Sequence, residues 1–214
     1  MGSKYYIFGA GAHGRVVYHS LSRSLDDNER IFYADDSRSL IDRMISGVRV
    51  VSASNIGLDS LLHLALGNNM LRKTLADRFK DKKMLSVEDP SAVVSSCASI
   101  QEGCFIGPGS IVQVGAFLGR HVIVNTSSVI EHDVILEDYV NICPGVVTGG
   151  RVKIGSSSFI GPGCVLLGRV TIGCSSIIGG GAVVTRDVPE GVVAYGNPAK
   201  VVRYVTDEDW SRAL

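Results

Sequence analysis

Between Val94 and Val184 an aliphatic side chain recurs at every sixth position. The series runs Val94, Ile100, Ile106, Val112, Leu118, Val124, Ile130, Leu136, Ile142, Ile154, Ile160, Leu166, Ile172, Ile178 and Val184. Thr148 is the single lapse in sixteen slots. Two residues before each large side chain sits a small or β-branched one, as at Ala98, Cys104, Ser110 and Ala116. Glycine often follows it, as at Gly107, Gly119, Gly155 and Gly161. A period of six is neither the helical 3.6 nor the simple strand repeat of 2. It belongs to a coil of short strands, in which every sixth side chain points to a common axis and the turns need small residues. The second half of the chain is therefore read as a β-solenoid.

The first part has a different texture, and the boundary is expected near residue 87, giving domains 1–87 and 88–214. Residues 4–8 read as a short apolar strand, followed by a glycine-rich turn and a helix over residues 15–24. Val16, Val17, Leu21 and Leu25 are expected on one face of that helix. Residues 30–34 form a second strand ending in Asp35-Asp36, and residues 61–66 a third ending in Gly67-Asn68-Asn69. Asn69 is placed as the cap of a helix over residues 70–82, with Leu71, Leu75 and Phe79 inward. Alternating strands and helices imply a small parallel sheet covered by helices. Glu88-Asp89-Pro90 marks the start of the coil. After Val184, residues 187–191 and 195–200 read as turns, and the tail ending at Leu214 as a short helix or disordered.

Charge and composition narrow the partners. Formal net charge is zero across 214 residues and no long basic run occurs, which argues against nucleic acid. No stretch of eighteen apolar residues offers a membrane span. The start Met1-Gly2-Ser3-Lys4-Tyr5-Tyr6 has no signal-peptide pattern. It resembles a myristoylation start, but Tyr6 stands where Ser or Thr is required. Cys97, Cys104, Cys143, Cys164 and Cys174 are odd in number and form no CxxC pair, which fits a reducing, cytoplasmic setting. Cys104 and Cys164 occupy small-residue slots and are read as small hydrophobes.

Two segments carry chemistry. Gly9-x-Gly11-x-x-Gly14 lies between a strand and a helix, with Asp35 and Asp36 at the next strand end, as in a dinucleotide fingerprint. Glycines let a backbone approach phosphate, and a helix N-terminus favours an anion. The unit is short for a full dinucleotide fold, so a single nucleotide such as a nucleotide-sugar fits better; a ligand-free βα turn is the plain alternative. His13 inside the loop is either structural or a contact to phosphate or sugar. Only two of the five histidines, His121 and His132, lie in the repeat. His132 follows the axial Ile130 by two residues, near a corner, and Glu131 and Asp133 flank it. One of those acids can orient the ring and raise its basicity, as a general base requires. Two histidines are too few for a zinc site within one chain, though a trimer could recruit others; no metal is expected. No G-x-S-x-G elbow supports a serine nucleophile.

These residues resemble the hexapeptide-repeat acyltransferases, and within them the nucleotide-amino-sugar N-acetyltransferases of bacillosamine-type pathways. The sialic acid O-acetyltransferases are similar too. The likeness spans nearly the whole chain. It rests on Ile7-Phe-Gly-Ala-Gly-Ala-His-Gly14, Asp35-Asp36, Leu66-Gly-Asn-Asn69, Asn125-Thr-Ser-Ser-Val-Ile-Glu-His-Asp133, Ile178-Gly-Gly-Gly181 and Gly196-Asn-Pro-Ala-Lys200. The block around His132 is the most specific. The resemblance implies a Rossmann-like sugar-nucleotide domain followed by a left-handed parallel β-helix, in a homotrimer with active sites between subunits. It implies Gly11, Ala12, His13, Asp35, Asp36, Gly67 and Asn125 for the nucleotide-sugar. Acetyl-CoA would lie between two β-helices at Pro162, Gly180 and Asn141, the last standing where close relatives carry a histidine. His132 would be the base, Asp133 its acid, and Gly150 the backbone N–H for the oxyanion. UDP, GDP and dTDP remain open, with UDP favoured by the resemblance. Two other functions stay in play: O-acetylation of sialic acid or another sugar, and a non-catalytic trimer that binds nucleotide-sugars.

Overall fold

A computed structural model describes residues 4–25 and 30–212. The Met1-Gly2-Ser3 start and the last two residues of the tail lie outside them. In the N-terminal domain, β1 (Tyr5–Phe8) is central, with β2 (Ile31–Asp35) and β5 (Leu61–Leu64) parallel on either side. A hairpin of β3 (Met44–Ile45) and β4 (Val48–Ser52) extends one edge, and β6 (Lys83–Met84) the other. The hairpin turns on Ser46-Gly47, both at positive φ, the conformation that two-residue hairpin loops require. These three strands are absent from the sequence reading because each apolar run is too short to show a period.

Helix α1 (Ala12–Ser22) starts three residues earlier than expected, because the glycine turn itself forms its first turn. Val17 and Leu21 are buried, and Leu25 packs partly against the same core. Val16, assigned to that face, is instead exposed, since neighbours i and i+1 point about 100° apart. Helix α2 (Asn69–Arg78) ends earlier than expected, at Phe79. Its cap is Asn68, not Asn69: Asn68 Oδ1 accepts the Leu71 N–H at 2.9 Å. Leu75 and Phe79 are inward as read, but Leu71 is exposed.

From β7 (Val87–Glu88) to β23 (Val183–Val184) the chain runs in two-residue parallel strands, and those as far as residues 165–166 each pair with the strand 18 residues on, as Phe105 does with Ile123. Three strands complete one coil, and the coils stack into three sheets. The axial residues Leu118, Ile130, Leu136, Ile142, Ile154 and Ile160 are all fully buried. The small slots do more than save space. The Sγ–H of Cys104 donates to the Gly119 carbonyl at 3.0 Å and that of Cys164 to Gly179 at 3.1 Å, as the Ser128 hydroxyl does to Cys143 at 2.9 Å. The thiols thus act as weak donors, not only as small hydrophobes. Beyond the coil, β24 (Val192–Gly196) joins one sheet and pairs antiparallel with β25 (Ala199–Tyr204). Residues 187–191 lead into this hairpin, whereas 195–200, read as a turn, hold its Asn197-Pro198 tip and the paired strand ends on either side; α3 (Asp207–Arg212) follows. No helix among the described residues is long and apolar enough to cross a membrane.

The three faces of the prism differ in what covers them. One, the inner face, lies under the N-terminal domain, so its outward Phe105 and Ile123 are buried in that domain's core. A second, the open face, presents Val93, Ile111, Val129, Val147, Val165 and Val183 in a column that no other element among the described residues covers. The third carries the mixed set Ser99, Phe117, Ile135, Lys153 and Thr171.

Arg72 of α2 clamps the inner face. It is 1% exposed, and its donors reach the carbonyls of His121 (3.0 Å), Leu66 (2.7 Å), Gly67 (3.2 Å) and Tyr139 (2.9 Å), and Asn69 Oδ1 (3.1 Å). Burial lowers its pKa to about 9, which leaves it cationic at neutral pH. Burial, helped by this cation, pushes His63 and His121 down to about 4. An unfolded histidine titrates near 6.5, so between pH 6.5 and 4 the unfolded chain binds protons that the folded chain refuses. Stability is therefore expected to fall as pH falls through that window, by up to about 1.4 kcal/mol per pH unit for each histidine. Guanidinium midpoints at pH 7, 6 and 5 check this; an unchanged midpoint would contradict it.

Candidate active site

A cavity of about 520 Å³ opens at the C-terminal ends of β1 and β5, between the N-terminal domain and the inner face. This is the switch point of the sheet, where the chain leaves the central strand in opposite directions. Both α1 and α2 begin at its rim, through Gly11 and Asn68. Gly11 caps α1 with no side-chain bond, which leaves the first N–H groups of that helix for a ligand. The three glycines of the loop have distinct reasons. Gly9 has φ +102°, Gly11 faces open space, and a side chain on Gly14 would run into the Gly9 carbonyl.

His13 lines the cavity with its Nε2 buried and unpartnered. Burial first, then His63 and Arg72, lowers its pKa to about 3, so the ring is neutral near pH 7. A neutral imidazole there offers one hydrogen bond without a charge. Asp35 also lines the cavity, but its carboxylate braces the loop: Oδ2 accepts the Ala10 N–H at 3.0 Å and Oδ1 the Ser37 N–H at 2.8 Å. Asp36, grouped with it in the sequence reading, stays outside the cavity lining and is held by Arg78 instead. Strand alternation separates the two, sending adjacent side chains to opposite faces.

Gly11, Ala12, His13, Asp35, Gly67 and Asn125 come together in this cavity. Asn141, assigned by resemblance to acetyl-CoA, lines it too. Its Nδ2 donates to the Gly67 carbonyl at 2.9 Å, which ties the coil to the loop after β5. Phe159 and Cys143 of the inner face also line the cavity and were not foreseen. The repeat marks residues as outward but carries no sign of which face the first domain covers.

His132 and Asp133 lie elsewhere, at the corner between β14 (Val129–Ile130) and β15 (Ile135–Leu136). Asp133 takes φ 58°, and this turn lets two adjacent side chains face each other. Asp133 Oδ2 accepts from His132 Nδ1 at 3.0 Å and lies 3.5 Å from Arg151 Nε. These partners, His132 foremost, hold the Asp133 carboxyl below its usual range, so it is anionic at neutral pH. In the neutral ring this bond selects the tautomer with the proton on Nδ1, which leaves the Nε2 lone pair for a substrate proton. Glu131, the other flanking acid, accepts the His132 backbone N–H at 3.3 Å and does not touch the ring. One coil above, Gly150 lies directly against Nε2, and a methyl group there would overlap the ring. Gly150→Ala is therefore expected to fold normally, because His132 is half-exposed and swings aside, but to lose most activity. Equal melting temperature with kcat reduced about tenfold or more is the expected pair of results. Unchanged kcat would show that the close packing is immaterial.

Pro162 and Gly180 stack one coil apart at the opposite corner of the open face, with the Gly181 N–H on the Pro162 carbonyl at 2.8 Å. Neither they nor His132, Asp133 and Gly150 line the cavity. Among the described residues no group of three or more His, Cys, Asp or Glu is placed to hold a metal ion.

Residues 4–79 match the PglD N-terminal domain, and residues 151–186 match bacterial transferase hexapeptide (six repeats). The chain is 28% identical to GDP-perosamine N-acetyltransferase of Escherichia coli O157:H7, over 93% of this chain and 96% of that one. PerB from Caulobacter crescentus, solved in complex with CoA and GDP-perosamine, is 31% identical with a TM-score of 0.85, covering 94% of this chain and 98% of that one. The acetyltransferase domain of PglB from Neisseria gonorrhoeae FA1090, solved with acetyl coenzyme A, is 30% identical with a TM-score of 0.87, covering 94% and 100%. With both segments and the full-length likeness in agreement, the chain belongs to the hexapeptide-repeat, acetyl-CoA-dependent N-acetyltransferases that carry a PglD-type N-terminal domain.

Proposed function

We propose that the protein transfers acetyl from acetyl-CoA to the amine of a nucleotide-linked 4-amino-4,6-dideoxy sugar, in the cytoplasm, for surface glycan synthesis. The observation that carries this reading is the His132–Asp133 pair, with a free Nε2 lone pair set against Gly150. The amine nitrogen attacks the thioester carbonyl carbon and gives its proton to Nε2 of His132. Asp133 balances the imidazolium that forms. The oxyanion takes the Gly150 N–H, an interaction of the kind whose loss costs roughly 3–4 kcal/mol. As the tetrahedral centre collapses, the C–S bond breaks, and His132 returns the proton to the departing CoA thiolate.

The cavity and the His132 corner lie apart in one chain, so the site needs a neighbour. Asn125 precedes β14 at the cavity side, and His132 follows it at the far corner. The column from Val93 to Val183 between them is an apolar face that a homotrimer would cover, bringing one subunit's cavity to the next subunit's His132. Acetyl-CoA would then run along that seam, past Pro162 and Gly180. Relatives named for GDP-perosamine put a GDP-linked acceptor first, ahead of the UDP-linked one favoured by the sequence reading.

Calorimetric titration with GDP, UDP and dTDP tests the cavity assignment. One nucleotide is expected to bind wild type and His132→Ala alike and to lose affinity in Gly11→Trp, whose side chain would fill the cavity. Undiminished binding to Gly11→Trp would move the nucleotide elsewhere.

A further inference from the structure

The one lapse in the axial series lies 16 residues beyond His132, on the coil stacked against it. Thr148 is fully buried among aliphatic axial neighbours. Along the open face each coil sends a backbone N–H to the next axial carbonyl: Ser95 to Val112, Gln113 to Ile130, Gly149 to Leu166 and Leu167 to Val184. At the remaining rung the Glu131 N–H goes instead to the Thr148 hydroxyl oxygen at 3.0 Å, and that hydroxyl lies 3.3 Å from the Val129 carbonyl. The pairing shows the same break. β14 meets β17 (Val147–Thr148) only at Val129↔Val147, where the neighbouring rungs of this sheet pair both residues. The ladder is thus re-routed through a side chain immediately before the Glu131-His132-Asp133 corner.

We infer that Thr148 is a positioning residue for the reaction: its hydroxyl sets the backbone from which His132 is launched, and so aims Nε2. A hydroxyl oxygen sits nearer the coil axis than the carbonyl it replaces, so the Glu131 N–H turns inward. Glu131 then folds its carboxylate back on the His132 N–H. An aliphatic residue in slot 148 would restore the ordinary rung and tilt the corner. This inference rests on His132 as the base.

Thr148→Val removes the hydroxyl at nearly constant shape, and fifteen other slots show that an aliphatic side chain fits. It is expected to keep or raise the melting temperature, to leave the KM values for both substrates within about twofold, and to lower kcat about 10–100-fold, the scale of a small misplacement of a catalytic group. Thr148→Ser, which keeps the hydroxyl, is expected to recover most of kcat. Wild-type kcat in Thr148→Val, with His132→Ala inactive, would overturn the positioning role and leave the base intact. Full activity of His132→Ala would overturn the base itself. A loss of kcat in Thr148→Val that Thr148→Ser shares equally would also overturn it, by making side-chain volume the cause.

Discussion

His132→Ala is expected to lower kcat about 10²–10⁴-fold, the usual contribution of a positioned general base. Its effect on nucleotide affinity is expected to be small, because His132 does not line the cavity of its own chain. The ring makes no buried contact that the fold needs, so the melting temperature should hold. Asp133→Asn should fall between wild type and His132→Ala. The amide still meets Nδ1, but it no longer balances the imidazolium and can present a donor that selects the wrong tautomer. Steady-state kinetics at saturating acetyl-CoA decide the matter. A His132→Ala protein whose kcat stays within a few-fold of wild type would exclude base catalysis by this residue.

Arg72→Met is expected to produce the largest loss of stability. Its guanidinium, itself almost fully buried, satisfies four backbone carbonyls and Asn69 Oδ1, of which the Gly67 carbonyl also accepts from Asn141 Nδ2. Each acceptor left unpaired costs roughly 1–3 kcal/mol, partly offset by relief of the buried charge and by relaxation. A net loss of several kcal/mol follows. Arg72→Lys should be nearly as damaging, since an ammonium cannot span five acceptors held in a planar fork. Two of those carbonyls, Leu66 and Gly67, belong to the loop that walls the cavity, so nucleotide binding should weaken along with stability. Guanidinium unfolding and nucleotide titration on the same preparation read both effects. An Arg72→Met protein with the wild-type unfolding midpoint would show that water reaches these carbonyls.

The axial aliphatics made the coil legible, because burial on a prism axis forces a strict period of six. The same period makes the site partly readable. Three hexads close one coil, so Gly150 lies one coil above His132 and Gly168 one above that. The Asp133 contact is readable for a local reason, since a left-handed turn residue folds neighbouring side chains together. What stayed hidden depends on long-range packing. Phe105, Ile123, Val129 and Val147 occupy equivalent outward positions, and only the docking of the first domain buries the first two. Arg72 sits in α2 with no periodic mark of its role. Asp35 and Asp36 look alike in the sequence, yet one braces the glycine loop and the other pairs with Arg78 at the surface. Thr148 was visible as a lapse, but its meaning needed the hydrogen-bond ladder.

The most direct test of the whole account is release of CoA thiol from acetyl-CoA with GDP-, UDP- and dTDP-linked 4-amino sugars and with free sialic acid. The account predicts turnover with a nucleotide-linked amino-sugar, a product whose acetyl group resists hydroxylamine as an amide does, and no turnover in His132→Ala. Turnover with sialic acid alone, giving a hydroxylamine-labile ester, would contradict it.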